Sequence, residues 1–325
     1  GTQSGTWGWS FATTDESDGQ TVTVTATDSD GDFSTTTFDL TVINVAPSVA
    51  VDNDPVTVNE GDTATNTGTF SDPGLDVVTI SASVGTVSQS GSQSGTWSWS
   101  LGAQDGPDDS QTVTITAMDG DGAFSTVTFD LNVDNVAPSV AADNDPVTVP
   151  EGGTATNTGT FSDPGLDIVS ISASVGTVSQ AGSQNGTWSW SFGTTDGPDD
   201  VQVVTITATD SDGASSTTSF TLNVNNVAPS VAADNDPVTS TEGGTATNTG
   251  TFSDPGLDVV SISASAGTVS QSGSQSGTWS WSLVTPDGPA AQVITITATD
   301  SDGAFSTMTF KLIVLNVPPV ANDDA

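Results

Sequence analysis

The chain has 325 residues and carries 40 Asp and Glu against a single basic residue, Lys311, for a formal net charge of −39. Cysteine, histidine and tyrosine are absent, which excludes disulfides, thiol nucleophiles, zinc centres with His or Cys ligands and Ser-His-Asp catalysis. A charge of this sign repels nucleic acid and anionic membrane, and it opposes compaction unless cations intervene.

Only four of the acids are glutamate: Glu16, Glu60, Glu151 and Glu242. General solvation of a halophilic surface would draw on both carboxylates, so the bias to Asp points to turns and cation-binding loops. No apolar run is long enough to span a membrane, and the first residues do not resemble a signal peptide.

Along the chain, the pair Trp7/Trp9 opens a segment, 1–43, that reads as the C-terminal half of a module. The segment Asn-Val-Ala-Pro-Ser-Val then begins at Asn44, Asn135 and Asn226, a spacing of 91 residues, and a variant begins at Asn316. The pairs Trp97/Trp99, Trp188/Trp190 and Trp279/Trp281 keep the same step. The expected organisation is therefore a half module (1–43), three complete modules (44–134, 135–225 and 226–315) and the start of a following module (316–325). Both ends fall inside unfinished modules, so the sequence reads as a window of a longer protein. Units of this size carry their own core, unlike solenoid repeats.

Within 44–134 the apolar period is two. The first strand is expected over 48–58, interrupted at Asp52-Asn53-Asp54-Pro55. Proline removes a ladder donor there, so the interruption predicts an edge kink or a switch of sheet. Strands follow at 63–70, at Val78, Ile80, Ala82 and Val84, and at 86–89. Then come Trp97, Trp99 and Leu101; Val113, Ile115 and Ala117; and Val127, Phe129, Leu131 and Val133. Each alternates with Ser, Thr, Asp or Asn, giving one apolar and one wet face. The Trp pairs share the apolar face, which favours core packing over a sugar-stacking platform. The expected fold is all-β: tandem seven-stranded β-sandwiches in an elongated array.

The stretch Phe70-Ser71-Asp72-Pro73-Gly74, the later Trp97-Ser98-Trp99, and Thr207-Ala208-Thr209-Asp210-Ser211-Asp212-Gly213 resemble PKD-type and cadherin-like, immunoglobulin-like repeats of bacterial surface proteins. The closing Pro319-Val320-Ala321-Asn322-Asp323-Asp324-Ala325 is similar to the opening of a cadherin-like repeat of very large bacterial adhesins. The resemblance covers every module and implies an extracellular, cell-surface location. The linkers lack the longer Asp-Asn-Asp motif of animal cadherins.

Alternating strand direction fixes which loops share an end. The loops holding Asp72 and Asp76, and Asp119 and Asp121, sit towards the preceding module. Glu60 and the loop 105–109 sit towards the following one. Each junction thus gathers acidic loops from two modules, which repel unless a cation such as Ca²⁺, with about six to eight oxygen ligands, joins them. The candidate metal ligands are Glu60, Asp72, Asp76, Asp119 and Asp121; Glu151, Asp163, Asp167, Asp210 and Asp212; and Glu242, Asp254, Asp258, Asp300 and Asp302. The bland reading is turn chemistry, since Asp-Pro-Gly and Asp-Gly are turn formers. Asp108-Asp109 and Asp199-Asp200 become Ala290-Ala291 in the last module, next to the variant linker, which hints that these acids face a neighbour.

The expected function is a structural spacer or stalk of an extracellular bacterial surface protein or adhesin, stiffened by calcium at its junctions. At roughly 35–45 Å per module, from strand rise plus loops, three and a half modules reach on the order of 140 Å. The partners are calcium and neighbouring modules, with no nucleic acid and no membrane contact from this segment. Alternatives are a subunit of an extracellular filament built from copies of the chain, and a carbohydrate-binding module. Tandem copies of the same loops argue against a single active site, so no enzymatic activity is expected.

Overall fold

The computed structural model describes residues 3–14 and 18–320, so Glu16 and the tail 321–325 lie outside the described residues. The chain divides into two compact units. The first is Gly1–Ala137 with Asp163–Asp167 and Ser211–Ala214; the second is Pro138–Ser162 with Ile168–Asp210 and Ser215–Ala325. The described regular structure is strand, with no α-helix.

The first unit begins with an antiparallel hairpin of β1 (Gln20–Thr27) and β2 (Phe33–Leu40). Its turn is organised by Asp28, whose Oδ1 accepts the N–H groups of Asp30 (3.0 Å) and Asp32 (2.9 Å). A complete sandwich follows: β3 (Ser48–Val51), β4 (Val56–Asn59), β5 (Thr63–Ser71), β6 (Thr79–Ala82), β7 (Thr86–Ser90), β8 (Ser94–Gly102), β9 (Gln111–Met118) and β10 (Phe124–Asp134). One sheet runs β3-β5-β8-β7 and the other β4-β10-β9-β6. All neighbours are antiparallel except β4 and β10, which run parallel from Val56↔Leu131 to Asn59↔Asp134.

The period-two pattern explains the layers directly. Along β5 exposed Thr alternates with buried Ala64, Asn66, Gly68 and Phe70. The expected seven strands become eight segments because the first is split at Asp52-Asn53-Asp54-Pro55, where the chain leaves one sheet for the other. Side chains of this switch hold the crossing in place. Thr67 Oγ1 donates to Asp52 Oδ2 (2.6 Å), the Asp130 N–H donates to Asp54 Oδ1 (2.9 Å), and Asn53 Nδ2 donates to the buried Asn66 Oδ1 (3.2 Å).

The core centres on Trp97, Trp99, Ile115, Phe129 and Leu131, each 2 % exposed or less. Trp99 meets Phe129 edge-on at 5.0 Å. Each indole N–H finds a carbonyl, Trp97 at Ala50 O (3.1 Å) and Trp99 at Val84 O (2.7 Å), so burial leaves no donor unmade. Position 68 has to be glycine: a Cβ there would lie 2.0 Å from Ala50 O and 2.5 Å from the Trp97 ring.

The second unit holds two sandwiches with the same strand order and the same buried set, including Trp188, Trp190 and Phe220 in one and Trp279, Trp281 and Phe310 in the other. The last differs in its penultimate strand, which starts at Ala290 and pairs Ala290↔Val314 and Ala291↔Ile313. Exchange of the two acids for alanine therefore accompanies a longer ladder.

Candidate metal centre

Glu60 stands at the turn that follows β4 and is 2 % exposed. Its longer side chain reaches two backbone donors, with the Gly106 N–H on Oε2 (3.0 Å) and the Val136 N–H on Oε1 (2.8 Å). Beside it, the loop before β9 is shaped by Asp109, whose Oδ2 accepts the N–H groups of Gln104 (2.7 Å) and Asp105 (3.2 Å). Asp109 thus closes its own loop and leaves Asp105 directed at Glu60.

The loop 163–167, which belongs to the first unit, docks here. The Leu166 N–H donates to Gln104 O (2.7 Å), and Ser211 Oγ donates to Asp167 Oδ1 (2.5 Å). Ligand oxygens of Glu60, Asp105 and Asp167 lie within 4.8 Å of one another. The approach is close because two glycines permit it. A Cβ on Gly165 would meet Glu60 Oε2 at 2.5 Å, and one on Gly61 would meet Pro164 O at 2.9 Å.

The second unit repeats the arrangement with Glu151, Asp196 and Asp258, again within 4.8 Å. Glu151 accepts the Gly197 N–H (3.0 Å) and the Val227 N–H (2.7 Å), and the Leu257 N–H donates to Thr195 O (2.6 Å).

Electrostatics distinguish these two centres from the third copy of the loop. Burial, reinforced by Asp167 and Asp163, raises Glu60 from its ordinary value against the pull of its two backbone donors. Burial followed by the charge of Asp258 does the same to Glu151. Burial and then Asp167 raise Asp105; burial and then Asp258 raise Asp196. Glu242 has the same backbone donors, Val317 and Gly288, and they hold it below its ordinary value. At Glu242 these donors outweigh burial and a side-chain hydrogen bond with Asp287 lowers it further, whereas at Glu60 and Glu151 burial prevails.

The sequence candidates fall into two groups. Glu60 with Asp167, and Glu151 with Asp258, are brought together, and Asp105 and Asp196 complete the triads although they were not among the candidate ligands. Asp163 adds to the charge around Glu60, and Asp212 to that around Asp105. Asp119 and Asp300 instead cap turns: Asp119 Oδ1 accepts Asp121 N–H (3.1 Å) and Ala123 N–H (2.8 Å), and Asp300 Oδ1 accepts Ala304 N–H (2.7 Å). Their other oxygens accept from the linker residues Asn44 (3.0 Å) and Asn226 (3.2 Å). Asp72 and Asp254 each use Oδ1 to accept a turn N–H, from Gly74 (2.7 Å) and Gly256 (2.8 Å). Asp76 is half-buried beside Gly74, Asp121 and Asp302 are exposed, and Asp210 is buried. Although Asp302 is exposed as a residue, partial desolvation of its carboxylate and then the charge of Asp258 raise its pKa.

A hard cation suits what remains. Asp72 Oδ2, Asp167 Oδ2, Asp196 Oδ1, Asn226 Oδ1, Asp254 Oδ2 and Asp258 Oδ2 are buried without a hydrogen-bond partner, and all are acceptors. Asp167 and Asp258 are each 2 % exposed. Buried acceptors that lack donors carry a desolvation cost that a divalent ion removes, and carboxylate, amide and carbonyl oxygens are the donor set such an ion takes. The tryptophan pairs of the three complete sandwiches offer no comparable surface to sugar, because both rings of each are at most 2 % exposed, whereas Trp7 and Trp9 are 58 % and 40 % exposed.

Among curated proteins no relative of significant similarity is found. Similar solved structures are multidomain chains. The titin fragment I67–I69 shares 12 % identity over 85 % of this chain and 100 % of its own, with a TM-score of 0.38. The extracellular cadherin domains 1–4 of protocadherin gamma B7 share 16 % identity over 91 % of this chain and 83 % of their own, with a TM-score of 0.37. The profile of the bacterial Ig domain matches residues 44–132 and 225–313, more than half of the sequence, and 135–225 between them repeats the same strand order. The chain belongs to the bacterial Ig domain family.

Proposed function

We infer that this chain is a spacer of an extracellular bacterial surface protein, its tandem Ig modules stiffened by Ca²⁺ bound among their acidic loops. The observation that supports this most is the set of buried, partnerless oxygens where one module's acidic loop meets the next. Glu60, Asp105 and Asp167 would hold one ion, and Glu151, Asp196 and Asp258 a second. The ion supplies positive charge to a chain that has almost none of its own. The residues supply geometry: Glu60 and Glu151 are oriented by two backbone donors each, and Asp167 and Asp258 by a serine hydroxyl. Repetition of one fold, with the same acidic triad recurring in successive modules, supports a stalk.

The test is a comparison of the whole chain in Ca²⁺ and in chelator by thermal melting and small-angle scattering. An ion bound only by the folded junction raises stability by about 2.7 kcal/mol at a hundredfold excess over its Kd. Chelation should lower the melting temperature and broaden the distribution of interatomic distances. Unchanged melting and scattering curves would remove the cation from the account.

A further inference from the structure

The acids of this chain are distributed unevenly around each sandwich. Residues 77–104, 168–195 and 259–286 contain no charged side chain, in a molecule with a net charge of −39. Those stretches hold β6, β7 and β8 and their counterparts, so one lateral side of every complete module is neutral.

Each sheet ends in two terminal strands, which leave backbone donors and acceptors open to another strand. Three of the four ends in module 44–134 carry a device against such pairing. β3 and β4 are short pieces flanking Asp52, Asp54 and Pro55. β6 is sealed by a side chain, since Gln89 Oε1 accepts the Ile80 N–H (2.8 Å) and Gln89 Nε2 donates to Val78 O (2.9 Å). Gln180 and Gln271 seal the equivalent strands in the same way. β7, with its counterparts Thr177–Ala181 and Thr268–Ser272, has no charge, no proline and no such seal among the described residues. Its outward hydroxyls already pair along the sheet, Thr86 with Ser100 (3.0 Å) and Ser88 with Ser98 (2.8 Å).

We propose that the β7 edge is an interface with a second copy of this chain, the two β7 strands adding antiparallel about a twofold axis. Charge selects the occupant. Two molecules of this net charge repel on every acid-bearing side, and the neutral side is where their backbones can approach at the lowest cost. The edge itself is self-complementary, as an antiparallel pairing of identical strands requires. Each complete module carries its own copy of this edge, so one chain offers three equivalent sites for the same contact. The proposal goes beyond the spacer reading: it concerns side-to-side association, and it needs no cation.

Sedimentation of the whole chain over micromolar to millimolar concentrations tests it, in Ca²⁺ buffer at physiological salt and at 1 M salt, where screening lengths are about 8 and about 3 Å. The expected result is a reversible dimer that strengthens with salt. The triple variant Ser88→Asp, Ser179→Asp, Ser270→Asp places like charges opposite one another and should weaken the dimer by about tenfold or more. The variant Thr128→Asp, Ser219→Asp, Thr309→Asp adds the same charge to outward positions of the other sheet and should leave the dimer unchanged. A wild-type chain that stays monomeric throughout, or equal weakening in both variants, overturns the proposal. If the Ser-to-Asp chain fails to fold, hydrogen exchange of the wild type decides. Protection of amides in 86–90 must rise with protein concentration, and its constancy overturns the proposal as well.

Discussion

Gly165→Ala is a single-atom test of the first candidate metal centre. The backbone at Gly165 lies outside the left-handed region, so alanine meets no left-handed strain, yet its Cβ would sit 2.5 Å from Glu60 Oε2 and 3.1 Å from Gln104 O. Ordinary contact requires the Glu60 carboxylate to retreat by nearly an ångström, and Oε2 is the atom that accepts the Gly106 N–H. A hydrogen bond to a charged group contributes about 1.5–3 kcal/mol, which is roughly a ten- to 150-fold loss of Ca²⁺ affinity when that carboxylate is a ligand. Isothermal titration calorimetry on the whole chain supplies its own reference. The centre at Glu151, Asp196 and Asp258 should keep its affinity while the one at Glu60 loses it. Gly102→Ala, whose Cβ meets nothing within 4 Å, should change neither. Two unaltered binding steps in Gly165→Ala, or equal weakening of both, would refute the reasoning.

Asp167→Asn should change sign with the medium. It relieves repulsion and raises the melting temperature in chelator, but it lowers Ca²⁺ affinity, and a variant neutral in both media would show that Asp167 is no ligand. In chelator the wild type should also grow more stable as the pH falls below neutrality. Glu60, Asp105, Glu151, Asp196 and Asp254 have folded pKa values raised above their unfolded ones. Their stabilising effect is complete below the unfolded pKa and is lost as pH rises through the folded values, so melting curves recorded downward from about pH 7 check the sign. Trp99→Ala removes a ring buried against Phe129 and should cost about 3–5 kcal/mol in denaturant unfolding, whereas a surface role for Trp99 would cost little.

Most of the sandwich was legible because its strands have one wet face. Alternation of Thr and Ser with Val, Ile and Trp fixes both strand and face, and the Asp-Pro interruption marked the change of sheet. Strand parity also placed Glu60 and the loop 105–109 at one end of the module. The roles of individual acids were harder to read. Asp105 and Asp109 look equivalent in sequence, but one carboxylate closes its own loop while the other faces Glu60, a difference made by backbone N–H directions that no spacing encodes. Asp119 and Asp300 share the Asp-Gly turn pattern of the other candidates, and only the structure shows that their oxygens accept from turn amides and linker asparagines. A stronger signal was present in the rarity of glutamate. Three of the four occupy equivalent positions, where only the longer side chain spans the donors of two segments.

The parallel pairing of β4 with β10 has a mechanical consequence. One strand lies near the start of the module and the other at its end, so a pull on the chain's two directions slides them past each other instead of peeling them apart. The register from Val56↔Leu131 to Asn59↔Asp134 is then loaded in shear, with its hydrogen bonds sharing the force at the same moment. Any tension carried through such a module therefore meets that ladder of four residue pairs as a single clasp.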